Sequence, residues 1–366
     1  MKSTDNHYWV ALDHVRAFAA MAVFVWHFVH ASNGYPVAFE GAPAIFPLAM
    51  LDEGHTGVAI FMTLSGYLFA KLLDGKDIVY HKFFWNRFVR LAPLLIVVMF
   101  LYGALEWYGG RDLGQYPTDL AAGFLMPTWP NGGWSVTAEL HFYLLLPFIL
   151  VLARRNAAWL LALLVTSIGL RCAFFLAEGS VQDLAYFTIV GRIDQFALGI
   201  FFFLKRDWLV GRAHWLALAV TVYFGLVYLF DQSGGFYGLA GGYPSTSAWW
   251  ILIPTIEGAI YAMVIAWYDG RLTTSSGRMS ALAAQYGKFS YSIYLLHFFI
   301  VFRLAQFVDE RLISLANFYV AIGAGIVAFL AMYPISWVSF KFIELPFLKL
   351  RTRYTIRYAQ PEMSAL

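Results

Sequence analysis

The sequence predicts an all-α integral membrane protein with about ten transmembrane helices and with the N-terminus and the C-terminus both in the cytoplasm. Of the 366 residues, 60% are hydrophobic and only 13% are charged, which is far from the average of soluble domains. Apolar runs near twenty residues long recur along the whole chain. Each run is long enough to cross a hydrocarbon core of about 30 Å as a helix.

Ten apolar windows have the length of a span. They cover residues 10–30, 56–73, 88–107, 137–153, 157–176, 184–204, 214–230, 248–268, 287–307 and 314–340. The first window contains Asp13 and Arg16 and has no small-residue cleavage site, so it predicts a retained helix and not a signal peptide. Residues 107–133 are rich in Gly and Pro and predict an irregular outer loop.

The basic residues indicate the orientation. If the N-terminus is cytoplasmic, nineteen of the 25 Lys and Arg residues fall on the cytoplasmic side. The opposite loops are assigned Arg111, Arg171, Arg303 and Arg311. This asymmetry favours an even number of spans with both ends inside. We expect residues 1–350 to form one transmembrane domain and residues 351–366 to form a short basic tail, with no appended soluble hydrolase-like domain.

The first helix carries charge that lipid does not tolerate. Asp13, Arg16 and His27 lie at helical steps that share one face. Ionisable side chains inside a span cost at least about 3 kcal/mol, so they normally face a polar cavity. Arg16 and His27 are separated by about 16 Å along the axis and cannot touch. The alternative is that Arg16 reaches the cytoplasmic interface and His27 hydrogen-bonds at the outer boundary.

The spacing from Leu12 and Asp13 through Arg16 to His27 resembles the first-helix signature of the acyltransferase family 3 membrane proteins. Five further segments resemble the later motifs of that family in the same order: residues 57–66, 84–93, 134–143 with Pro147, 287–297 and 344–346. His14 stands where the family often has glycine. The resemblance covers almost the entire chain and implies a membrane-bound O-acyltransferase in the bacterial cytoplasmic (inner) membrane.

The resemblance implies transfer of an acyl group, with acetyl expected, to a hydroxyl of a cell-surface or lipid-linked carbohydrate such as O-antigen or exopolysaccharide. Histidine suits a general base near neutral pH, so His27 is the expected base. Glu139 is expected to orient it, and Arg16 completes the catalytic set. A covalent acyl-histidine is equally consistent. Glu139 could instead be an acid at a helix N-terminus behind a Ser135 cap.

The expected donor is acetyl-CoA or another short acyl-CoA, and no metal is expected. Arg87 and Arg90, three residues apart on one helix face, suit its phosphates. The positive-inside rule alone would also place them there. Arg16 is a candidate guide for the pantetheine arm, and Ser65, beside Gly66, could open space for it, although simple helix packing also explains this pair.

The acceptor is expected at the outer half of the protein. The candidate substrate-binding residues are Trp129, Trp134, Ser135, Tyr143, Arg192, Tyr294 and His297. Aromatic faces stack on sugar rings, but Trp and Tyr also form ordinary interfacial belts. Arg192 with Asp194, and Tyr294 with His297, either line the same cavity or pair internally.

The sequence is also compatible with other functions. A secondary transporter or a glycan flippase also suits about ten helices with buried charge, and a non-catalytic sensor or assembly partner is a third possibility.

The single cysteine, Cys172, excludes an internal disulfide and a multi-cysteine metal site. His27 and His30 lack a set of nearby carboxylates and histidines that would complete a zinc site. A net charge of +3 gives no support for nucleic-acid binding. The expected partners are acyl-CoA, the carbohydrate acceptor and membrane lipid.

Overall fold

The computed structural model describes residues 8–30, 48–238, 242–272 and 277–357, and these residues are mostly helical. The α-helices are α1 Val10–Val29, α2 Ala49–Asp52, α3 Gly57–Leu72, α4 Tyr80–Tyr108, α5 Tyr116–Ala122, α6 Trp134–Arg155, α7 Ala158–Glu178, α8 Gln182–Phe187, α9 Ile189–Leu204, α10 Arg206–Val210, α11 Ala213–Gln232, α12 Ile253–Arg271, α13 Gly277–Lys288, α14 Ser290–Leu296, α15 Val301–Arg311, α16 Phe318–Ala331, α17 Tyr333–Ser339 and α18 Leu345–Leu348.

Shorter elements join these helices. The 3-10 turns are Gly54–Thr56, Ala248–Ile251 and His297–Phe299, and a π-helical turn covers Phe340–Glu344. Two short strands, β1 Lys76–Ile78 and β2 Thr355–Arg357, pair antiparallel. The loop expected at residues 107–133 contains only the seven-residue α5, so no further span lies there.

Six helices in the described part of the chain are long and apolar enough to cross a membrane, or seven if a bent pair counts as one span. The bent pair is Ser290–Phe299 with Val301–Arg311, at 62° to each other. The remaining predicted windows are also helical, but α3 and α9 have only 16 residues each. The expected all-helical membrane architecture is confirmed, whereas the count of ten spans and the orientation remain predictions.

Large apolar side chains face outward from several of the long helices. Phe100 of α4 is 75% exposed, Phe148 of α6 is 69% exposed and Val165 of α7 is 71% exposed. A soluble domain does not expose so many large apolar groups together on its helices. In a bilayer the lipid tails cover them, because a span that faces lipid is apolar on its outer side.

Glycines let the central helices approach closely. A Cβ on Gly66 of α3 would collide with the carbonyl of Phe196 on α9, and a Cβ on Gly199 of α9 would collide with the carbonyl of Thr63 on α3. Small residues at a helix crossing allow this backbone contact in membrane proteins. Gly66 therefore serves helix packing, as the alternative interpretation of the Ser65 and Gly66 pair proposed.

Residues 350–357, which we call the C-terminal strap, fold back onto the start of α4. The Asn86 side chain donates to the Thr352 carbonyl (2.6 Å) and accepts from the Thr352 amide (2.9 Å). The amide of Val79 donates to the carbonyl of Tyr354 (2.8 Å), and Tyr354 is 2% exposed. Residues 351–357 thus differ from the expected tail, and residues 358–366 lie outside the described residues.

Candidate active site

A cavity with about 1420 Å³ of empty space, including its mouth, lies among α1, α3, α4, α6 and the α13–α14 segment. Its lining on α3 extends from Val58 to Leu72, which corresponds to about 21 Å of helix. Eight of the thirteen predicted site residues line it. They are Arg16, Ser65, Arg87, Arg90, Ser135, Glu139, Tyr143 and Tyr294. The fold therefore brings residues from most of the matched motifs to one space.

Arg16 pairs with the acid of its own helix. Its Nη1 lies 2.5 Å from Oδ1 of Asp13, one turn earlier on α1. Asp13 is 1% exposed, whereas the Arg16 side chain remains 22% exposed, and both line the cavity. A nearby carboxylate offsets part of the cost of holding the guanidinium inside a span. Arg16 is thus held at the cavity wall.

Glu139 faces the cavity within a polar group on α6 and α3. The Tyr143 hydroxyl, one turn further along α6, donates to Glu139, and Oγ of Ser65 donates to it at 3.4 Å. The guanidinium of Arg87 also interacts electrostatically with Glu139. Within the described residues, the hydrogen bonds of Glu139 go to these two hydroxyls and not to His27. The Ser135 cap expected for this helix is absent from the described residues, because α6 begins at Trp134 and Oγ of Ser135 donates to the Gly132 carbonyl.

Arg87 and Arg90 lie at the same end of the cavity with different partners. Arg87 lies against aromatic rings, with its guanidinium carbon 5.2 Å from the Phe69 ring centre. Its Nε is buried and makes no hydrogen bond with a described residue. Arg90 forms an ion pair with Glu344, which also accepts from Ser292. Glu344 of the 344–346 motif thus neutralises one of the two predicted phosphate ligands.

Two further cations and a tyrosine line the cavity: Lys288, Arg351 and Tyr354. Arg351 and Tyr354 lie close to Arg87. We call Arg87, Arg90, Lys288 and Arg351 the cationic mouth. Lys288 lies within the 287–297 motif, so the resemblance offered a signal for it. Arg351 and Tyr354 belong to the C-terminal strap, and nothing in the sequence indicated that a basic segment after the last span returns to the cavity.

His27 and His297 form a pair at the bend between α14 and α15. Nδ1 of His27 lies 3.2 Å from Nε2 of His297. Nδ1 of His297 also contacts the carbonyl of Tyr294 (2.7 Å), and Nδ1 of His27 contacts the carbonyl of Val23 (2.9 Å). Carbonyl oxygens only accept hydrogen bonds, so Nδ1 of each neutral ring carries the proton. This assignment leaves Nε2 of His27 unprotonated and able to accept a proton.

Tyr294 separates the histidine pair from the cavity. Its ring lines the cavity and lies 6.1 Å from the ring of His297. Its hydroxyl donates to the Gly132 carbonyl (3.3 Å). His27 and His297 are not part of the cavity lining among the described residues. Tyr294 of the 287–297 motif therefore contacts the backbone just before the 134–143 motif.

Arg192 and Trp134 belong to a different cluster. Arg192 is 1% exposed, donates to the Tyr186 carbonyl (2.5 Å) and to Oε1 of Gln195 (2.9 Å), and stacks 4.4 Å from the Tyr186 ring. Trp134 packs 4.8 Å from the Phe187 ring. Neither of the two residues lines the main cavity among the described residues.

Asp194 does not pair with Arg192. It pairs instead with Arg171 of α7 at 2.7 Å, and both side chains are fully buried. The assignment of Arg171 to an outer loop was therefore wrong, because Arg171 lies inside a helix. The pair joins α7 to α9.

Trp129 is buried in its own loop. It is 4% exposed, and its indole Nε1 donates to the Leu120 carbonyl (2.8 Å). A Cβ on Gly123 would overlap its ring. The ring therefore organises this loop and does not present an open face.

The other histidines near α1 have structural partners. His30 lies 3.3 Å from Asp52, and His14 contacts the Tyr268 hydroxyl (2.7 Å). Among the described residues, no group of three or more His, Cys, Asp or Glu side chains is arranged to hold a metal ion.

The chain is similar in sequence to proteins that carry acyl-transfer names. A provisionally named membrane-bound transacylase, BcsY, of Komagataeibacter xylinus is 28% identical over 283 residues, 69% of this chain and 68% of that protein. A provisionally named O-acetyltransferase of Staphylococcus aureus strain MSSA476 is 22% identical over 401 aligned residues, 95% of this chain and 58% of that protein. The chain thus spans less than two thirds of this second relative. No solved structure matches the chain.

A protein-family model matches most of the sequence. The family 3 model, described as an acyltransferase domain, matches residues 9–339. This range contains the helices that form the cavity and the histidine pair. The chain therefore belongs to the acyltransferase family 3 membrane proteins.

Proposed function

We propose that this protein transfers an acyl group, in the first instance acetyl, from cytoplasmic acyl-CoA across the bacterial inner membrane to a hydroxyl of a cell-surface or lipid-linked carbohydrate. O-antigen of lipopolysaccharide and exopolysaccharide are acceptors of this class. One observation carries the proposal: a single cavity extends from the cationic mouth to Tyr294, which touches the pair formed by His27 and His297. The O-acetyltransferase name of the S. aureus relative supports the same chemistry.

We propose ten spans within one domain, residues 1–350, with both ends in the cytoplasm. The distribution of basic residues supports this orientation, and it puts the cationic mouth on the side where acyl-CoA is made. A reporter fused after Leu366 should then read as cytoplasmic. An external reading would reverse the direction of transfer proposed here.

The donor occupies the cavity in this proposal. The guanidinium groups of Arg87 and Arg90 bind its phosphates, because planar guanidinium groups match phosphate oxygens. The pantetheine arm extends past Arg16 and Ser65, and the length of the cavity supports an extended arm. The acyl end then lies near Tyr294, so transfer requires this ring to move or the acyl group to pass beside it.

His27 is the proposed general base. Its Nε2 accepts the proton of the acceptor hydroxyl while the hydroxyl oxygen attacks the thioester carbonyl. The carbon–sulfur bond then breaks, and the leaving thiolate of coenzyme A takes up one proton, so the ester and the thiol are the two products. His297 holds the required tautomer through its contact with Nδ1.

The covalent alternative also starts from Nε2. In that route the nitrogen attacks the carbonyl, coenzyme A leaves, and the acceptor hydroxyl then displaces the imidazole from the acyl group. The two routes differ in whether an acyl group resides on His27. To distinguish them, the protein is incubated with acetyl-CoA in the absence of acceptor, the reaction is quenched, and mass spectrometry shows whether His27 carries an acetyl group.

Glu139 and Arg16 are proposed to act from the cavity wall. Glu139, held by Tyr143 and Ser65, contributes a negative charge and hydrogen-bond acceptors near the arm of the donor, and Arg16 contributes a positive charge on the opposite wall. The acceptor approaches from the outer side, where we propose Trp134, Ser135, Arg192 and Trp129 as residues that form or support its site.

The test uses purified protein in proteoliposomes with acetyl-CoA labelled in its acetyl group. We expect label in a glycan acceptor on the opposite side of the membrane only when the donor is present at the cationic-mouth side. Movement of glycan without consumption of the thioester would favour a flippase or transporter. Label that appears only in water would show thioester hydrolysis without an accepted glycan and would contradict the proposed acceptor class.

A further inference from the structure

Arg351 reaches the cavity because the C-terminal strap is fixed on both sides of it. Towards the C-terminus, the backbone of Thr352 makes two hydrogen bonds with Asn86, and Tyr354 is bonded to the backbone of Val79. Towards the N-terminus, Nε of Arg351 donates to the Leu348 carbonyl (3.1 Å). The guanidinium is thereby held in the cationic mouth and is not part of a free tail.

Arg351 lies close to two other cations of the cationic mouth. Burial, together with the neighbouring cations Arg87 and Arg90, lowers the pKa of Arg351. Glu344 neutralises Arg90, and Glu139 interacts electrostatically with Arg87. Nε of Arg87 is nevertheless buried and has no hydrogen-bond partner in the described part of the chain. Like charges that converge in a partly buried site repel each other, and a bound polyanion removes this repulsion.

The number of cations in the cationic mouth and the elongated shape of the cavity limit which anion can bind. The guanidinium groups of Arg87, Arg90 and Arg351 lie close together in the wall of an elongated cavity that Lys288 also lines. The rest of the lining is largely apolar or uncharged apart from Asp13, Arg16 and Glu139. Several guanidinium groups together suit an anion with several phosphates. A ligand with a phosphorylated head and a long, less polar arm fits both parts.

We propose that Arg351 is a phosphate-binding residue of the donor site and that the C-terminal strap delivers it to the head of a coenzyme A thioester. This inference rests on the proposed function, because it takes acyl-CoA as the donor. It adds a residue from outside the matched range 9–339, and it predicts that recognition of the phosphorylated head depends on the strap while recognition of the pantetheine arm does not.

The test measures coenzyme A binding by calorimetry on the purified full chain. R351Q should weaken binding about tenfold or more at low salt, since a hydrogen bond between charged groups is lost. R353Q is the matched control, because Arg353 lies on the same strap, is exposed and does not line the cavity. It removes the same charge and should change affinity less than about twofold. R351K should recover part of the loss.

A second readout separates phosphate binding from a structural role. Acyl transfer from S-acetylpantetheine, which lacks the phosphates, should be the same in R351Q and in the wild type. In the wild type, coenzyme A should protect Arg351 but not Arg353 from phenylglyoxal, and S-acetylpantetheine should protect neither. This measurement needs no variant, so it decides the question even if R351Q does not fold.

The outcomes are distinguishable. Wild-type protein that binds no coenzyme A would overturn the proposed function, and this inference with it. Wild-type binding with equal affinity in R351Q and R353Q would overturn the role of Arg351 alone. Equal losses of activity with acetyl-CoA and with S-acetylpantetheine, or phenylglyoxal labelling that coenzyme A does not change, would also show that Arg351 does not bind phosphate.

Discussion

Nδ1 of His27 lies 3.2 Å from Nε2 of His297, although 270 residues separate them in the sequence. His27 is on the first helix, and His297 is at the turn where α14 ends. Because Nδ1 of His27 is occupied by this contact and by the Val23 carbonyl, the nitrogen that remains for proton transfer is Nε2. The arrangement therefore specifies which atom of His27 would act as the base.

We predict that H27A lowers acetyl transfer by about 10² to 10⁴, the range typical of the loss of a general base, and leaves coenzyme A binding nearly unchanged. H141A is the matched control, because His141 is half-buried and its ring hydrogen-bonds to the Phe124 carbonyl, away from the histidine pair. Transfer rates and calorimetry on folded protein check this prediction. Near-normal turnover by H27A would end the base hypothesis.

We predict that H297A lowers transfer less than H27A does, by about 2- to 10-fold, the value of one neutral hydrogen bond. If His297 acts through His27, the double variant H27A/H297A should be no slower than H27A alone, because removal of the base also removes what its partner supports. The transfer rates of H27A, H297A and H27A/H297A, each compared with the wild type, form a double-mutant cycle. Multiplicative losses would mean that His297 acts independently of His27.

Arg16 should behave differently from His27. R16Q should raise the dissociation constant of coenzyme A and also lower the rate, since Arg16 lines the cavity and not the histidine pair. Its removal also leaves the buried carboxylate of Asp13 without its cation, so protein yield and thermal unfolding must be compared with the wild type. The variant D13N/R16Q restores charge balance. If D13N/R16Q regained coenzyme A affinity fully, Arg16 would be structural.

We predict that E139Q gives a loss of transfer between those of H27A and R16Q, because it keeps the shape of the side chain but removes the charge that Tyr143 and Ser65 solvate. Y143F removes one donor to the same group and should have a smaller effect. E106Q serves as the control, since Glu106 pairs with the exposed Arg111. Equal activity in E139Q and E106Q would remove Glu139 from the mechanism.

The buried pair of Arg171 and Asp194 should determine stability and not activity. R171M leaves a buried carboxylate without its cation, so we expect a loss of about 3 to 5 kcal/mol in the free energy of unfolding. The double variant R171M/D194L should recover much of this loss, because neither member of the pair then leaves a buried charge without its partner. Thermal unfolding in detergent is the measurement, with R111Q as the exposed control. Similar stability of R171M and R111Q would contradict the prediction.

The sequence predicted contacts that lie within one helix or one motif better than contacts between distant segments. Asp13 and Arg16 are three residues apart, so helical geometry alone brings them together. Glu139 and Tyr143 are four apart and meet for the same reason. The all-helical membrane architecture was also predictable, because hydropathy reflects the bilayer directly.

Contacts that depend on tertiary packing were not predictable. Glu139 was expected near His27, but its hydrogen bonds go to Ser65 and Tyr143, because the crossing of α3 and α6 determines its neighbours. Arg171 and Asp194 were not paired in the sequence interpretation, since only the packing of α7 on α9 brings them together. The direction of each side chain required the structure.

The C-terminal strap has a consequence for how the protein is made. Trp9 and Tyr354 line the same cavity although they lie near opposite ends of the described chain. The chain is synthesised from its N-terminus, so the early helices are in place before the strap leaves the ribosome. Until then the mouth lacks Arg351 and Tyr354. A nascent chain, although its early helices are already in the membrane, therefore has an incomplete cavity wall until the strap has been synthesised and has folded back.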